Sequence, residues 1–205
     1  MPFPNYAVLG PNVAHLHANG VVGIFEEGAY WARGSDLEAM KSYVLAKALW
    51  DPKTDSAANA KMFVQGYYGK AAAPHVFKYI QAFEASVNET AFYMGESVPV
   101  TSAYLDCATV LKASQEIAAG VAATASDAPR NKRVAELSLT TRYVGLLRWK
   151  EMQACPGGLQ WCVESSPPIV RACRCQVPSS PLLCFVLLSP SCAREEDGVA
   201  LTLTE

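Results

Sequence analysis

The chain has 205 residues, of which 51% are hydrophobic and 18% charged, with a formal net charge of −2 and a pI near 5.9. Such a composition suits a protein that buries a core and excludes broad disorder. The near-neutral charge and short basic runs such as Arg130 to Arg133 leave no electrostatic footprint for nucleic acid, and no stretch reaches the roughly 18 apolar residues that a bilayer span needs.

The opening residues Met1-Pro2-Phe3-Pro4-Asn5 carry neither a basic region nor a long apolar run, so they do not read as a signal peptide, and the cytosol is the expected location. Asn12 follows Gly10-Pro11 and reads either as a ligand-reaching side chain or, preferably, as a helix cap. His15 and His17 lie two residues apart, on different faces of a helix, and are expected at the surface rather than as a metal pair. Beyond Asn19-Gly20, the uncharged run Val21-Val22-Gly23-Ile24-Phe25 stops at Glu26-Glu27-Gly28. Its length and composition predict a buried strand of a parallel sheet. In such sheets chemistry sits at the carboxyl ends of strands, which singles out Glu26. Successive strand residues face opposite ways, so Glu27 then faces the rim or the helices.

From Gly34 to Met152 the pattern is helical. Ser35 and Glu38 have capping-box spacing ahead of Leu37, Met40, Val44, Leu45, Ala48 and Leu49, predicting a helix over 35–50 that ends at Asp51-Pro52. Thr54 or Asp55 is expected to cap a second helix over 54–69, closed by Gly69 as the residue after the C-cap. Pro74 suits the first turn of a third helix over 71–90, with Val76, Phe77, Ile80, Phe83 and Val87 on its apolar face. Pro99 and Thr101 are expected to open a fourth helix, with Tyr104, Leu105, Ala108, Leu111, Ile117 and Ala118 along one side. Asp127-Ala128-Pro129 begins a fifth, through Val134, Leu137, Tyr143, Val144 and Leu147. Cys107 falls on the apolar pattern of the fourth and reads as a buried structural thiol. Asn88-Glu89-Thr90 fits the N-glycosylation acceptor pattern, which by itself is short enough to arise by chance.

Composition changes near Gln153. Six of the seven cysteines and six of the thirteen prolines follow it, mixed with serine and without helical period. Cys173-Arg174-Cys175 has no second pair at zinc-site spacing, so no metal is expected. Residues 153–205 read as a disordered or aberrant tail, of the kind left by translated non-coding sequence or an unrelated splice end.

The segments Pro2-Phe3-Pro4-Asn5, Val8-Leu9-Gly10-Pro11-Asn12, Gly20 to Glu26, Tyr43 to Pro52 and Gly66-Tyr67-Tyr68-Gly69 stand in the order of one known family. Over residues 1–150 the chain resembles a group of glycoside-hydrolase-like proteins classed as a domain of unknown function. Members often carry an α-glucuronidase-type amino-terminal domain ahead of a (β/α)8 barrel, with a helical region after it. The resemblance implies a mainly α chain: one or two strands from the end of an incomplete barrel in 1–52, a helical domain in 53–152, and the tail. It further implies that this chain is the last part of a larger protein, Met1 lying where the middle of a reading frame is expected.

Glycoside hydrolysis usually needs two carboxyl groups. The resemblance makes Glu26 the catalytic one at this strand end, either as general acid or as a charge that orients water or a sugar hydroxyl. Where the family has glutamine, this chain has Glu27. Together with Tyr30, Trp31 and Asn12, Glu27 forms the expected substrate-binding set, the two aromatic rings suited to stacking on a pyranose. No cofactor is expected. Two readings of function remain: a carbohydrate-active, α-glucuronidase-related fragment that is inactive alone, and a non-catalytic helical interaction module. In the fragment, helices 35–50, 54–69 and 71–90 carry apolar faces that a complete barrel would otherwise meet, and these are expected to drive self-association.

Overall fold

Three aspartates start three of the helices. In the computed structural model, which describes residues 1–28, 35–95 and 97–156, Asp55, Asp106 and Asp127 are N-caps whose carboxylates accept the backbone N–H groups of Ala58 at 2.9 Å, Thr109 at 3.0 Å and Arg130 at 3.2 Å. Each satisfies a donor that the first turn leaves without an intrahelical partner. The helices are α1 (Leu9–Ala18), α2 (Glu38–Trp50), α3 (Ser56–Tyr67), α4 (Ala73–Glu89), α5 (Cys107–Ala123), α6 (Ala128–Leu147) and α7 (Trp149–Ala154). Short 3-10 turns at Tyr6–Val8 and Ala103–Leu105 precede α1 and α5. No strand occurs among the described residues, so the chain is mainly helical there.

The punctuation follows the sequence at most boundaries. Asp51 is extended before Pro52 and stops α2, as a residue preceding proline favours. Pro74 and Pro129 occupy the first turns of α4 and α6, where their missing N–H costs nothing. Gly69 takes φ +90 just beyond α3, the left-handed turn that glycine tolerates.

Two helix starts differ from expectation. Ser35 and Glu38 form no capping box; α2 begins after Leu37, which stands at φ 51 with no side-chain cap. A left-handed leucine is strained, at about 1–3 kcal/mol, and it is held because its side chain is buried at 1% exposure. The fourth expected helix begins not at Pro99 or Thr101 but at Cys107, after the 3-10 turn. Its buried stripe is Val110, Ala113, Ser114, Ile117 and Gly120, so Ile117 faces inward as expected while Ala108 and Ala118 are exposed.

The core lies where α5 packs between α4 and α6. Val76, Tyr79 and Phe83 from α4 meet Val110, Ala113 and Ile117 from α5 and Val134, Leu137 and Val144 from α6. Fully burying a side chain such as Phe83 contributes about 1.5–3 kcal/mol. A Cβ on Gly120 would stand 3.1 Å from Val134 Cγ1 and 3.4 Å from His75 Cβ, so this glycine sets how closely three helices approach. At the other end α1 packs on α2 and α3. There a Cβ on Gly10 would fall 1.6 Å from Ser56 Oγ, so the two backbones meet only because Gly10 has no side chain.

On α6 two positions expected on the apolar face lie outside, as Leu49 does on α2 at 44% exposure. Tyr143 and Leu147 are about half exposed, as are Leu139 and Leu146. Together they form an apolar stripe along the outer side of α6, while Val134, Leu137 and Val144 face the core. Cys107 is not a free thiol: it is bonded to Cys155, with Cα atoms 6.1 Å apart, which ties the start of α5 to the end of α7. The described residues all fall within one unit, Met1–Trp161. Beyond Pro156 the tail expectation lies outside the described residues.

Candidate functional site

The acidic segment singled out by sequence leaves the end of α1. Asn19 and Gly20 close that helix through hydrogen bonds to the carbonyls of His15 and His17, and Val21 N–H donates to Leu16 O at 3.1 Å. From there to Gly28 the backbone takes no regular structure and all side chains but Ile24 are exposed. Val22 is wholly exposed and Phe25 is 89% exposed. The expected buried strand is therefore not formed. A strand requires a neighbour to accept its N–H groups and donate to its carbonyls, and among the described residues none is present.

Glu26 and Glu27 are both exposed on this segment. Asn12 is exposed on α1, in the helix rather than at its N-cap, a position held by Val8. Its expected capping role is thus absent. Tyr30 and Trp31 lie outside the described residues. His15 and His17 are exposed, as expected, and Asn19 Nδ2 donates to the His15 carbonyl at 2.8 Å. No group of three His, Cys, Asp or Glu side chains among the described residues is placed to hold a metal ion.

The polar centre that the sequence did not disclose is Asp36, two residues before α2 and 4% exposed. Its Oδ1 accepts the Tyr79 hydroxyl at 2.6 Å. Its Oδ2 accepts the Phe3 N–H at 3.0 Å and the Tyr6 hydroxyl, and lies 3.5 Å from Lys41 Nζ. Lys41 also donates to Phe3 O at 2.8 Å and stands over the rings of Tyr6 and Phe3. Tyr79 shares a 2.9 Å hydrogen bond with Thr140 of α6, and Tyr104 donates to Pro2 O at 2.9 Å. One carboxylate thereby pins the Pro2 to Tyr6 segment to α2, α4 and, through Tyr79, α6.

Burial and then the Asp36 charge push the Tyr6 and Tyr79 hydroxyls well above the ordinary tyrosine range. Burial also lowers Lys41, an effect that Asp36 partly offsets. The two tyrosine hydroxyls therefore stay protonated and donate to Asp36. With both oxygens engaged and its side chain almost wholly buried, Asp36 acts as a clamp: a buried carboxylate needs such partners, and here the fold itself supplies them. Sequence showed it only as a polar residue between Ser35 and Leu37. The one available signal was that tyrosines at 6 and 79 fall on otherwise apolar positions and so need a buried acceptor.

A smaller cluster lies on the α4–α5 seam. His75 Nδ1 is 2.8 Å from Glu116 Oε2, and Lys78 Nζ is 3.5 Å from Glu116 Oε1. Burial acts to raise Glu116, but the hydrogen bond from His75 and the Lys78 charge hold it below the usual carboxylate range.

Compared with known proteins, residues 1–81 match the sequence profile of a family described as a domain of unknown function, DUF4838. No curated protein and no solved structure matches the chain.

Proposed function

We propose that this chain contributes a late barrel strand and a carboxy-terminal helical region to a glycoside-hydrolase-like, α-glucuronidase-related protein, with Glu26 as one of its two reacting carboxyl groups. The observation that carries this reading is the exposed run Val21 to Phe25, uncharged and rich in strand-forming residues, which leads straight into Glu26 and Glu27. Apolar side chains as exposed as Val22 and Phe25 mark a surface that pairs with something. Flanking barrel strands would pair its backbone and bring Glu26 to the carboxyl-end rim, where barrels keep their chemistry. The profile match over residues 1–81 spans this segment. Asn12, Glu27, Tyr30 and Trp31 are the proposed sugar-contacting residues around it.

Glu26 supplies one carboxyl group where hydrolysis needs two, so the chain alone is expected to be inactive. The test joins this sequence to a complete set of barrel strands and assays aryl glycosides and glucuronoxylan oligosaccharides, with and without Glu26→Gln. Loss of the carboxyl is expected to lower turnover at least about 100-fold. Equal turnover in the two removes Glu26 from the chemistry.

The exposed stripe Leu139, Tyr143, Leu146 and Leu147 favours a second reading, a non-catalytic helical module that docks on a partner. Absence of turnover in the barrel-complete protein, with binding that depends on Tyr143, selects it.

A further inference from the structure

We propose that Asn88 is an N-linked glycosylation site and that the chain folds in an oxidising, glycosylating compartment. Two independent features support this. The first is the acceptor sequence Asn88-Glu89-Thr90 together with its placement: all three residues are exposed, where α4 ends. The buried stripe of α4 is Val76, Tyr79, Ile80, Phe83 and Ser86. Five residues beyond Phe83, at about 100° per residue, Asn88 stands roughly 140° around the helix from that stripe. A bulky glycan on its Nδ2 therefore projects into solvent and displaces no core contact.

The acceptor also sits at the carboxyl end of α4, where a left-handed cap closes the helix: Ala91 N–H donates to Asn88 O and Phe92 N–H to Val87 O. Thr90 is the C-cap, its hydroxyl donating to Ser86 O at 2.7 Å, and Ala91 takes φ 48 immediately after.

The second feature is the Cys107–Cys155 disulfide, which joins residues 48 apart in sequence. Disulfides persist in oxidising compartments and are rare in the cytosol. The cytosolic expectation rested on the first five residues, whereas the disulfide and the acceptor rest on the folded chain. In the transfer step the Asn88 amide nitrogen bonds to the anomeric carbon of a lipid-linked oligosaccharide. The bond from that carbon to the diphosphate oxygen breaks, the lipid diphosphate leaves with the electron pair, and the amide gives up one proton.

The full chain is translated behind a cleavable secretion leader with microsomal membranes, beside N88Q, T90A and T90S, and only membrane-protected product is scored. Wild type and T90S are expected to run as a single slower glycoform that an N-glycan amidase collapses, while N88Q and T90A stay fast. In the same product Cys107 and Cys155 are expected to resist maleimide until reduced. Protected wild type of unmodified mass, a glycoform that survives N88Q, or maleimide-reactive Cys107 and Cys155 overturns the proposal. In protein recovered from its native cells, amidase treatment is expected to leave aspartate at position 88; unmodified asparagine throughout overturns it as well.

Discussion

The Tyr79 hydroxyl donates to Asp36 Oδ1 at 2.6 Å, joining the middle of α4 to the residue that precedes the left-handed turn into α2. Because Asp36 also accepts from Phe3 and Tyr6 and faces Lys41, removing it strands several buried donors at once. Asp36→Ala is expected to destabilise the fold by about 3–5 kcal/mol, the range for breaking a buried charged pair. Tyr79→Phe removes a single donor and is expected to cost about 1–1.5 kcal/mol. Urea unfolding of the three proteins checks the order; equal losses would mean that Asp36 is not the hub.

Alkaline pH is expected to unfold the protein. Tyr6, Tyr68, Tyr79 and Tyr104 are all raised, burial being the first cause in each. A group raised in the folded state binds its proton more tightly there, so the stability it contributes is complete below the unfolded value and falls as pH climbs beyond it. Lys41 has the opposite sign: it is lowered by burial, and its cost fades as pH rises. The tyrosines outnumber it. Urea midpoints should fall from about pH 10, the ordinary tyrosine value, with a shallower fall in Tyr79→Phe.

Gly10→Ala is expected to destabilise the α1–α3 junction by about 1–3 kcal/mol through overpacking, since the added Cβ would fall 1.6 Å from Ser56 Oγ and 2.6 Å from its Cβ. Ser56→Gly in the same chain removes both atoms and should restore much of the loss. A double-mutant cycle in thermal unfolding reads this coupling; additive effects would place the strain elsewhere.

Cys107→Ser is expected to cost about 2–4 kcal/mol, the usual range for a disulfide that closes a long loop. The loop spans 48 residues and contains all of α6. Oxidised wild type and the variant should differ in urea midpoint, and reducing agent should remove the difference. A gap that survives reduction would assign the effect to packing at Cys107.

Local chemistry was the legible part of this fold. Asp55, Asp127, Pro74, Pro129 and Gly69 act within a few residues of themselves, so their spacing alone placed helix ends. Asp36 was illegible because its partners stand at 3, 6, 41 and 79, and only tertiary packing brings them together. Tyr143 and Leu147 share an apolar helical pattern with Val144, yet the period does not say which of two stripes meets α5. Val21 to Phe25 carries strand chemistry with no described strand to pair with, so composition and structure part company there. Glu26 was singled out from that composition, and in the structure it is exposed on an irregular segment.

Amide hydrogen exchange over Val21 to Gly28 tests the central claim most directly, measured in this chain and in a polypeptide where it follows a complete set of barrel strands. In the chain alone these amides should exchange at nearly the rate of an unfolded peptide. In the longer polypeptide they should slow by at least about 100-fold as strand pairing closes around them. Fast exchange in both would contradict the account, because the segment would then be a loop and Glu26 would not be held at a barrel rim.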